Sequence, residues 1–507
     1  AHAQAIHPGY GFLAESAAFA EAVSRAGFVF IGPGAHAIRK MGFKTAARDL
    51  MRAAGVPVVP GFQPSPGASN AVLRSAAGEL GYPVLIKAAA GGGGKGMRVA
   101  QHADDFDALL DAARREAMSA FGDDAVYLER FIERPRHIEF QIFGDALGQI
   151  IHLNERECSI QRRHQKVVEE TPSPFLTPAV RAQMASAAVA AARAVGYVNA
   201  GTVEFVVDPG GAFYFLEMNT RLQVEHPVTE MTTGVDLVGL QLAIAAGEPL
   251  PEALLEGVPS HGHAIECRVC AEDPANDFLP ATGTITAYLE PSGDGIRVDS
   301  GVARGDEIGP RYEGLLAKLI VHAPTRTAAI EKMASALDDF VIEGLVTNLA
   351  FLREVITHPA FAAGETTTDF IDRHFGSELA AAEPTTLAID PMPAKRNPWQ
   401  IADGYRVGAT ARSLAPAARA PVARRPAPAL AHPAGHSARI ESPMPGLVVD
   451  VPAAAGARVR RGATLVVLEA MKMEYRLVAP AEGVITRIGC AKGDTVQRGQ
   501  ILIELGP

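Results

Sequence analysis

Polar side chains of several kinds alternate with apolar ones between residues 217 and 225 (EMNTRLQVE). Alternate residues of a β-strand share a face, so a half-buried strand here would carry every polar member on one side. Those members are Glu217, Asn219, Arg221, Gln223 and Glu225. A solvated surface strand is the alternative, but such strands usually carry interchangeable Lys, Thr, Ser and Glu. The fixed order of acids, amides and a guanidinium favours an assembled site.

A second strand is predicted immediately before this one. Residues 201–208 (GTVEFVVD) read as a strand, and the Pro-Gly-Gly-Ala run after them supplies hairpin turn chemistry. If Asp208 faces Phe213 across that turn, Glu204 lies opposite Glu217, with the two side chains about 5 Å apart. A slip of one residue would instead turn Glu204 to the other face.

Two carboxylates placed that close destabilise a sheet unless something neutralises them. A divalent cation between Glu204 and Glu217 would do so, and Asn219 follows on the same face. These side chains offer hard oxygen ligands, which suit Mg²⁺ carrying nucleotide phosphates better than zinc. The sequence therefore predicts a metal and phosphate site on this hairpin.

A glycine-rich segment offers a second place for phosphate. A strand predicted at 83–87 leads into AAAGGGGKG, and another strand resumes at 97–100. The run is not a Walker loop, because Gly96 rather than Ser or Thr follows Lys95. We interpret it as a flexible hairpin whose backbone N–H groups close over phosphates, with a mobile surface turn as the alternative.

Basic side chains are concentrated between residues 155 and 166 (ERECSIQRRHQK). We interpret this segment as a charged loop that gathers anionic substrates, with simple solvation as the alternative. The hydrophobic pattern also predicts strands at 126–132, 136–142 and 263–269, and helices at 38–54, 177–195 and 234–247. Arg297 falls on a further predicted strand, where by itself it would be a surface arginine.

Composition narrows the class of protein. The 507 residues are 48% hydrophobic and 21% charged, as in an ordinary globular chain of about three domains. The sequence contains no apolar run near the roughly 18 residues of a membrane span and no visible signal or transit segment. A net charge of −10 without a basic stripe argues against a nucleic-acid partner. We expect a cytoplasmic metabolic enzyme.

Four cysteines are too few for a disulfide framework in a chain of this size, so a reducing compartment fits best. Cys267 and Cys270 form a lone CxxC. The sequence has no second pair or histidine cluster to complete a zinc site, so we predict both to be strand residues.

The C-terminal part contains an internal repeat that follows a linker. Residues 413–437, mostly Ala, Pro and Arg, could extend over roughly 75 Å. Six residues then recur 37 positions later, namely Pro443, Gly446, Gly456, Val459, Gly462 and Leu465 as Pro480, Gly483, Gly493, Val496, Gly499 and Leu502. Two similar β halves predict a small flattened barrel. Between them, EAMKME places Lys472 at a hairpin tip, where flanking methionines suit recognition by a modifying enzyme.

The motifs HPGYGFL, GGGGKGM, QRRHQKVVEE, EMNTRLQVEHPVTE and EAMKME together resemble those of biotin-dependent carboxylases, specifically the biotin-carrying α subunits of acyl-CoA carboxylases. Lipoyl carriers, the near alternative for the last domain, have Asp-Lys-Ala where this chain has Met-Lys-Met. The resemblance implies an α/β (α+β) ATP-grasp biotin carboxylase, then a Pro/Ala-rich linker and a small all-β flattened-barrel biotinyl domain. The implied segments are a remnant of the N-terminal domain at 1–43, the ATP-grasp domain at 44–250, the C-terminal carboxylase domain at 251–377, a linker with a vestige of a subunit-docking region at 378–436, and the carrier at 437–507.

The resemblance also implies roles for individual residues. The implied ATP contacts are Lys44, Lys87, Gly93, Gly94, Glu129, Arg130, Phe131, Ile132, His137 and His164. The implied metal ligands are Glu204, Glu217 and Asn219. The implied bicarbonate site is Lys166, Arg221, Gln223 and Val224, with Glu225 as the base, Arg297 steadying carboxyphosphate and the biotin enolate, and Lys472 carrying biotin.

The activity implied by this resemblance is carboxylation of the chain's own biotin through carboxyphosphate, using ATP, bicarbonate and Mg²⁺ or Mn²⁺. The implied partners are a carboxyltransferase β subunit acting on methylcrotonyl-, propionyl- or acetyl-CoA, a biotin protein ligase, and a second copy in a homodimer. No nucleic acid or membrane is expected. Another ATP-grasp ligase, such as a carbamoyl-phosphate type, leaves the carrier repeat unexplained.

Four departures from the family pattern limit what the resemblance implies and leave an alternative open. The family begins with a further N-terminal stretch, and only residues 397–406 resemble the start of its subunit-docking region. Phe43 stands where the family usually has an acid, and residues 310–314 (PRYEG) depart from a usual Tyr-Tyr-Asp run. The alternative is therefore a catalytically inert, biotin-bearing carrier protein.

Overall fold

The computed structural model of the chain describes residues 2–42, 44–65, 67–89, 97–163, 165–381, 438–471 and 473–506. These residues form two compact units. The larger unit is built from most of the chain before residue 380, and the smaller unit includes the C-terminal residues. Nearly all of the predicted linker, residues 378–436, lies outside the described residues.

A small α/β layer opens the larger unit. Its elements are β1 (Ala5–Ile6), α1 (Ala17–Arg25), β2 (Val29–Phe30), α2 (Ala35–Gly42) and α3 (Lys44–Ala53). β1 and β2 pair in parallel, and the Ser16 hydroxyl caps α1 by accepting from the Phe19 backbone N–H at 3.2 Å. The described residues of the helix expected at 38–54 are helical as far as Ala53, and Phe43, between α2 and α3, lies outside the described residues.

A four-stranded sheet and two helices follow. Their bounds are β3 (Gly61–Phe62), α4 (Asn70–Leu80), β4 (Val84–Ala88), β5 (Arg98–Ala100), α5 (Phe106–Phe121) and β6 (Val126–Arg130). The strand order is β3-β6-β4-β5, and α5 packs Phe106 and Leu110 against this sheet. β4 and β5 are antiparallel, with Val84 opposite Ala100, which confirms the hairpin predicted around the glycine run. Residues 90–96 of that run lie outside the described residues.

Eight antiparallel strands form the central sheet of the larger unit. They are β7 (Arg136–Gly144), β8 (Ile150–Arg162), β9 (Gln165–Thr171), β10 (Asn199–Val207), β11 (Phe213–Asn219), β12 (His263–Cys270), β17 (Ile296–Ser300) and β19 (Leu315–Ala323). Their order is β11-β10-β7-β8-β9-β12-β19-β17. Cys267 and Cys270 lie on β12 as free thiols, as predicted.

The two faces of this sheet differ in chemistry. Phe140 and Phe205 project to an apolar face, which α6 (Pro178–Ala194) covers with buried alanines. Glu139 and Glu204 are the neighbouring residues on the same strands, so they project to the opposite face. On that face α7 (His226–Thr233) packs Val228 against β12 and β19, and α8 (Leu237–Ala245) packs near β10. Buried charged groups therefore lie between the sheet and these helices.

The remaining elements of this part of the chain complete the outer layers. They are α9 (Glu252–Leu255), β13 (Glu272–Asp273), β14 (Leu279–Pro280), β15 (Gly283–Thr284), β16 (Ala287–Leu289), β18 (Glu307–Ile308), α10 (Arg326–Asp339), β20 (Val341–Glu343), α11 (Leu349–Thr357), α12 (Pro359–Ala362) and α13 (Phe370–Ala381). Antiparallel pairs join β15 to β18 and β16 to β20.

The strand predicted at 217–225 is wrong in its second half. β11 ends at Asn219, and residues 220–225 form a loop that leads into α7. β11 is the edge strand, with β10 as its only neighbour in the sheet and an isolated bridge from Phe215 to Val58 on its outer side. The boundaries of α7 are ordinary ones: Pro227 lies in its first turn, and Gly234, at φ 72°, follows its last turn. The alternating pattern led to a strand prediction that did not take these helix signals into account. The helix expected at 234–247 begins at Leu237.

The charged loop predicted at 155–166 is also wrong. This segment lies on β8 and β9, in the middle of the central sheet, and most of its side chains are buried. Arg156 contacts Glu139, and Arg162 contacts Glu272 at 2.6 Å. The acids that neutralise these arginines lie outside the segment, Glu139 on the preceding strand and Glu272 110 positions further on than Arg162, so charge density within the segment suggested exposure.

The C-terminal residues fold into eight short strands. These are β21 (Ala438–Glu441), β22 (Gly446–Asp450), β23 (Arg458–Val459), β24 (Thr464–Ala470), β25 (Met473–Val478), β26 (Gly483–Ile488), β27 (Thr495–Val496) and β28 (Ile501–Gly506). They form two four-stranded sheets, β21-β28-β26-β23 and β25-β24-β22-β27, which contribute to one apolar core. When residue numbers are advanced by 37, β23 at 458–459 coincides with β27 at 495–496. The same shift places the strands of each sheet on strands of the other sheet. The repeat seen in the sequence is therefore a repeat of structure.

Candidate active site on the polar face of the central sheet

A row of charged residues crosses four neighbouring strands. Glu217, Glu204, Glu139 and Arg156 are successive partners on β11, β10, β7 and β8. The predicted pairing of Glu204 with Glu217 is confirmed. Directly paired residues point to the same face, so all four side chains meet above the sheet.

The register that produces this pairing differs from the expected one. Phe213 lies opposite Val207, not Asp208 as predicted, so the hairpin begins one residue out of the assumed register. An irregularity between Glu204 and Phe205 then restores the alignment. Such bulges shift one strand by a residue and redirect side chains. The predicted pair was right, although the assumed turn was not.

Lys166 joins three carboxylates at the centre of the site. Its ammonium donates hydrogen bonds to Glu139 at 2.5 Å, to Glu204 at 2.8 Å and to Glu225 at 2.6 Å. An ammonium has three N–H donors, and here each meets a buried acid. Burial would lower the pKa of Lys166, but the three carboxylates raise it well above its ordinary value. Lys166 therefore stays charged and ties together groups from β7, β10 and the loop before α7.

Arg156 anchors the second side of Glu139. It is fully buried, and its Nε donates to Glu139 at 2.6 Å. Its remaining N–H groups reach Gln141 at 2.8 Å, Thr229 at 3.0 Å and Thr202 at 3.2 Å. A buried guanidinium needs this many acceptors, because an unpaired one would be expensive to desolvate. Arg156 was not among the residues that the sequence singled out, because its partners are distant along the chain.

Glu204 has polar contacts with four side chains. Its Oε1 accepts from Asn219 at 2.7 Å and from Gln223 at 3.2 Å in addition to Lys166. The Nε2 of His137 lies 2.8 Å from its Oε2. Burial alone would raise the pKa of Glu204, but Lys166 and His137 outweigh it and hold that pKa far below the usual range. Glu204 is thus a carboxylate at any physiological pH.

Glu225 lies between two cations. It accepts from Lys166 through one oxygen and from Arg268 at 2.9 Å through the other. The carboxylate is fully buried; burial raises its pKa, whereas Lys166, Arg268 and Arg156 hold the pKa well below its ordinary value. Glu225 is therefore ionised in this arrangement and can accept a proton only if one of these cations releases it.

Arg268 is a site residue that sequence reasoning missed. It lies on β12, and its Nε also donates to Glu169 at 2.7 Å. The signal was present in ECRVC, where Glu266 and Arg268 alternate with Cys267 and Val269 on a buried strand.

Arg221 borders the same site from the loop after β11. Its guanidinium donates to Gln223 at 3.1 Å and to Asn219 at 3.4 Å, and it lies 3.4 Å from Glu15. Gln223 in turn bonds Glu204, so Arg221 connects with the acid row through one amide. Val224 offers its carbonyl oxygen to Lys318 at 2.9 Å. The structure thus gathers Lys166, Arg221, Gln223, Val224 and Glu225 around one place.

Arg297 belongs to a neighbouring group of ion pairs. On β17 it donates to Glu230 at 2.7 Å and to both oxygens of Asp299. Asp299 also pairs with Lys318 at 3.0 Å. A cavity of about 480 Å³ opens beside Arg297, lined by Glu230, His226 and apolar residues of α7 and its C-terminal flank. The contacts of Arg297 link it to Glu225 only indirectly, and its predicted role stays a prediction.

The predicted nucleotide contacts fall into described and undescribed groups. Lys87 donates to Glu129 at 2.5 Å, and Arg48 contacts the other oxygen of the same carboxylate. Arg130 donates to the Tyr214 hydroxyl at 2.6 Å, and its guanidinium stacks over that ring. Phe131 and Ile132 continue from β6 as half-buried residues. Gly93, Gly94, His164, Lys472 and the side chain of Lys44 lie outside the described residues.

The donor set around Glu204 fits a hard divalent cation. Glu204 and Glu217 are paired on adjacent strands, and Asn219 follows on the same face. The Asn219 amide nitrogen points at Glu204, and a flip of that amide would present its oxygen instead. His137, Glu139 and Glu204 also bring ligand atoms within 4.8 Å of one another. Carboxylate and amide oxygens are what Mg²⁺ and Mn²⁺ prefer, so the residues present fit such an ion.

The CxxC thiols are not part of any such group. Among the described residues, the groupings close enough to hold a metal contain neither Cys267 nor Cys270. Burial raises the pKa of both thiols, that of Cys267 well above its usual value.

Among the helices described, none combines the length and apolar character needed to cross a bilayer.

Family models match four consecutive parts of the chain. They are "Biotin carboxylase, N-terminal domain" at 1–38, "Carbamoyl-phosphate synthase L chain, ATP binding domain" at 44–253, "Biotin carboxylase C-terminal domain" at 266–373 and "Biotin-requiring enzyme" at 438–505. Biotin carboxylase 2 of the chloroplast of Populus trichocarpa is 50% identical over 389 residues, which cover 76% of this chain and 72% of that protein. The chain belongs to the biotin carboxylase family.

Other members of the biotin carboxylase family agree with this placement. The α subunit of mitochondrial methylcrotonoyl-CoA carboxylase from Mus musculus is 52% identical over 73% of this chain, and the chain spans 52% of that relative's length. The Campylobacter jejuni biotin carboxylase, solved in complex with an ATP species, has a TM-score of 0.69 and 44% identity, covering 73% of this chain and 82% of that one. The biotin carboxylase domain of Hydrogenobacter thermophilus 2-oxoglutarate carboxylase, a dimer with MgADP and bicarbonate, has a TM-score of 0.68 and 47% identity, with the same coverage. The larger unit therefore has the ATP-grasp biotin carboxylase fold.

Proposed function

We propose that the protein carboxylates biotin, using ATP and bicarbonate, and that the biotin is attached to its own Lys472. The observation that carries this proposal is the contact of Lys166 with Glu139, Glu204 and Glu225, because it joins a cation-binding end to a proton-accepting end. Relatives support the chemistry, since one solved neighbour was crystallised with MgADP and bicarbonate together. The reaction class is that of a ligase that forms a C–N bond and hydrolyses ATP.

ATP would bind between the four-stranded sheet and the acid row. Lys87 is a predicted ATP contact, and its ammonium is hydrogen-bonded to Glu129. A bound phosphate would compete with Glu129 for this ammonium. A magnesium or manganese ion held by Glu204, Glu217 and Asn219 would take up part of the charge of the phosphates. Phosphoryl transfer to bicarbonate depends mainly on positioning and on charge neutralisation of this kind. Bicarbonate activated as carboxyphosphate is then electrophilic enough to react.

Bicarbonate would bind where Lys166, Arg221, Gln223 and the Val224 backbone converge. An anion that recruits the Lys166 ammonium weakens its contact with Glu225, which raises the proton affinity of that carboxylate. Glu225 then becomes a better base at the moment when bicarbonate must lose its proton. Substrate binding itself would thus prepare the base.

Two guanidinium groups flank the place where the biotin ureido oxygen would gain negative charge. Arg221 contacts Gln223 beside the bicarbonate position, and Arg268 contacts Glu225 directly. Fixed cationic donors of this kind stabilise a developing oxyanion. Arg268 is therefore a stronger candidate for this role than Arg297, whose N–H groups bind Glu230 and Asp299.

The carrier would move biotin between this site and a second enzyme. The flanks of Lys472 fit that role, since β24 and β25 pair with Ala470 opposite Met473. Met471 is buried, and the part of the flanking methionines in recognition by a modifying enzyme stays a prediction. The relatives named methylcrotonoyl-CoA carboxylase subunit alpha support an acyl-CoA carboxyltransferase as the partner, and the dimeric neighbour supports a homodimer. The acceptor acyl-CoA, the biotin protein ligase and the cytoplasmic location stay predictions.

The test uses the purified full chain. ATP hydrolysis should require both bicarbonate and free biotin. The Glu225→Gln variant should lose this bicarbonate-dependent hydrolysis while it still binds ATP. Glu331→Gln is a matched control, because Glu331 is exposed on α10. Intact ATP binding with no bicarbonate-dependent turnover in the unchanged protein would overturn the proposal and leave an inert, biotin-bearing carrier.

A further inference from the structure

Two buried carboxyl groups face each other behind the site described above. Glu169 on β9 and Glu266 on β12 are direct partners across the two strands, and both have 0% exposure. Side chains so paired lie about 5 Å apart at Cβ. Neither residue has a part in the function proposed above, and neither is in contact with Glu204, Glu217 or Asn219 in the hydrogen bonds described.

The two acids are poorly supplied with hydrogen-bond donors. Glu169 Oε1 accepts from the Arg268 Nε at 2.7 Å, but Glu169 Oε2 has no partner within the described part of the chain. Both oxygens of Glu266 are likewise without a partner there. A buried carboxylate with no donor is strongly disfavoured. Three orphaned oxygens between two facing acids therefore need an explanation.

The surroundings of Glu266 offer little compensation. On the same face, Ala264 precedes it by two residues and Ile320 lies directly opposite, and both pack with Val228 of α7. Arg268 is the nearest cation on its own strand, but Arg268 already serves Glu169 and Glu225. The groups that interact electrostatically with one or both members of the pair are Cys158, Lys166, Glu225, Cys267, Arg268 and Lys318. The helix α7, which packs on the same face of the sheet, carries two further titratable groups, His226 and Glu230.

The charges of this group do not balance if every acid is ionised. Lys166 and Arg156 neutralise Glu139 and Glu204. Arg268 alone then remains to neutralise Glu225, Glu169 and Glu266. Lys318 is engaged by Asp299. When two carboxyl groups lie side by side in an apolar environment, they share one proton, because ionising both would bring two negative charges together. We propose that Glu169 and Glu266 share one proton, and that this pair is a positioning device which fixes Arg268 against Glu225.

The titration behaviour of both acids agrees with this geometry. Burial, opposed by Arg268 and reinforced by Glu225, raises the pKa of Glu169 to about 7. Burial and the neighbouring Glu169 raise the pKa of Glu266 well above its usual value, against Lys318 and Arg268. A proton on Glu266 would donate to the free Oε2 of Glu169, which leaves Oε1 for Arg268. Arg268 then keeps one full negative charge on each side.

The consequence for catalysis rests on the proposed function. With one proton in the pair, Arg268 divides its charge between two carboxylates, Glu169 and Glu225. Loss of that proton would add a second buried charge and draw Arg268 away from Glu225. The shared proton thereby sets how firmly Glu225 is held before it acts as a base.

The experiment compares Glu266→Gln with the unchanged full chain and with the exposed control Glu331→Gln. Infrared difference spectra in H₂O and D₂O should show the carbonyl stretch of a protonated carboxylic acid, absent in Glu266→Gln and retained in the control. Thermal unfolding, followed by the helical circular dichroism signal that comes from the larger unit, supplies a second readout. A raised native pKa means that the folded state keeps a proton which the unfolded state loses, so stability falls as pH rises above about 4.5. Glu266→Gln should therefore gain in melting temperature over the unchanged chain as pH rises above about 4.5.

The outcomes separate this inference from the proposed function, because neither readout requires turnover. Retention of the acid band in Glu266→Gln, or a melting difference that does not change with pH, would overturn the shared proton. A melting temperature that rises with added K⁺ in the unchanged chain but not in Glu266→Gln would show a cation in its place and also overturn it. Near pH 7, Glu266→Gln should keep turnover within about threefold of the unchanged chain, and the alkaline limb of its pH–rate profile should move to higher pH. Glu169→Gln should lower kcat about tenfold with little change in KM. Equal losses of activity at all pH values in both variants would refute the positioning role.

Discussion

Replacing Lys166 with methionine should destabilise the larger unit strongly at neutral pH and weakly at about pH 5. The change keeps the length of the side chain but removes an ammonium that holds three buried carboxylates at 2.5, 2.8 and 2.6 Å. Removing one partner of a buried ion pair costs about 3–5 kcal/mol, because the remaining charge stays desolvated. At roughly 1–1.5 °C per kcal/mol for a unit of about 370 residues, we expect a loss of about 5 °C in melting temperature at pH 7.

The sign of the pH dependence follows from the same contacts. In the unchanged protein, Lys166 keeps the pKa values of Glu204 and Glu225 below their unfolded values, so their stabilisation is present above about pH 4.5. Without the ammonium, burial dominates and at least one of these pKa values rises. The folded variant then holds a proton that the unfolded chain releases, and its stability falls by about 1.4 kcal/mol for each unit by which that pKa exceeds the unfolded value. The deficit should therefore widen as pH rises.

Thermal unfolding of the full chain at several pH values measures this effect. Lys332→Met is a matched control, because the Lys332 ammonium donates to the backbone oxygens of Asp294 and His322 rather than to acids. A deficit for Lys166→Met that is the same at every pH, or no greater than that of Lys332→Met at pH 8, would refute the reasoning. Bicarbonate-dependent ATP hydrolysis should also be lost at all pH values in Lys166→Met.

Three further predictions concern single groups. Glu217→Gln should raise the Mg²⁺ concentration for half-maximal ATP hydrolysis about tenfold, since one of two proposed carboxylate ligands is lost; an unchanged requirement would remove Glu217 from the metal site. Arg268→Ala should lower kcat about 100-fold and Arg297→Ala less than about tenfold, because Arg268 alone of the two touches Glu225, and the reverse ranking would contradict the geometry. Lys472→Arg should abolish avidin binding on blots while sparing ATP hydrolysis with free biotin, and a persistent avidin signal would place the biotin on another residue.

Local pattern predicted those parts of the fold whose partners are close in sequence. The β10–β11 hairpin could be inferred because a short turn joins its strands, and the pairing of Glu204 with Glu217 follows from that proximity. The repeat of the C-terminal domain was visible because glycine and proline recur at fixed spacing. In both cases the decisive contacts span few residues, so the periodicity of the sequence carries them.

The buried charges of the central sheet could not be predicted in this way. Arg156 reads as a surface residue until Glu139 is known to lie opposite it on the next strand. Arg268 reads as part of a CxxC strand until the fold places it against Glu225, 43 positions earlier in the chain. Which charges face each other depends on strand order in a sheet whose neighbours, such as β9 and β12, are far apart in sequence.

The exchange of the two carrier sheets under a shift of 37 positions has a consequence for the order of the chain. The shift carries the β24–β25 connection, which contains Lys472, onto the place where β28 ends and β21 begins. There Ala438 lies opposite Leu505, much as Ala470 lies opposite Met473. A circular permutant that joins these ends and opens the chain elsewhere would keep every strand neighbour. The β24–β25 connection and the paired ends of β21 and β28 are thus equivalent corners of one dyad-symmetric domain.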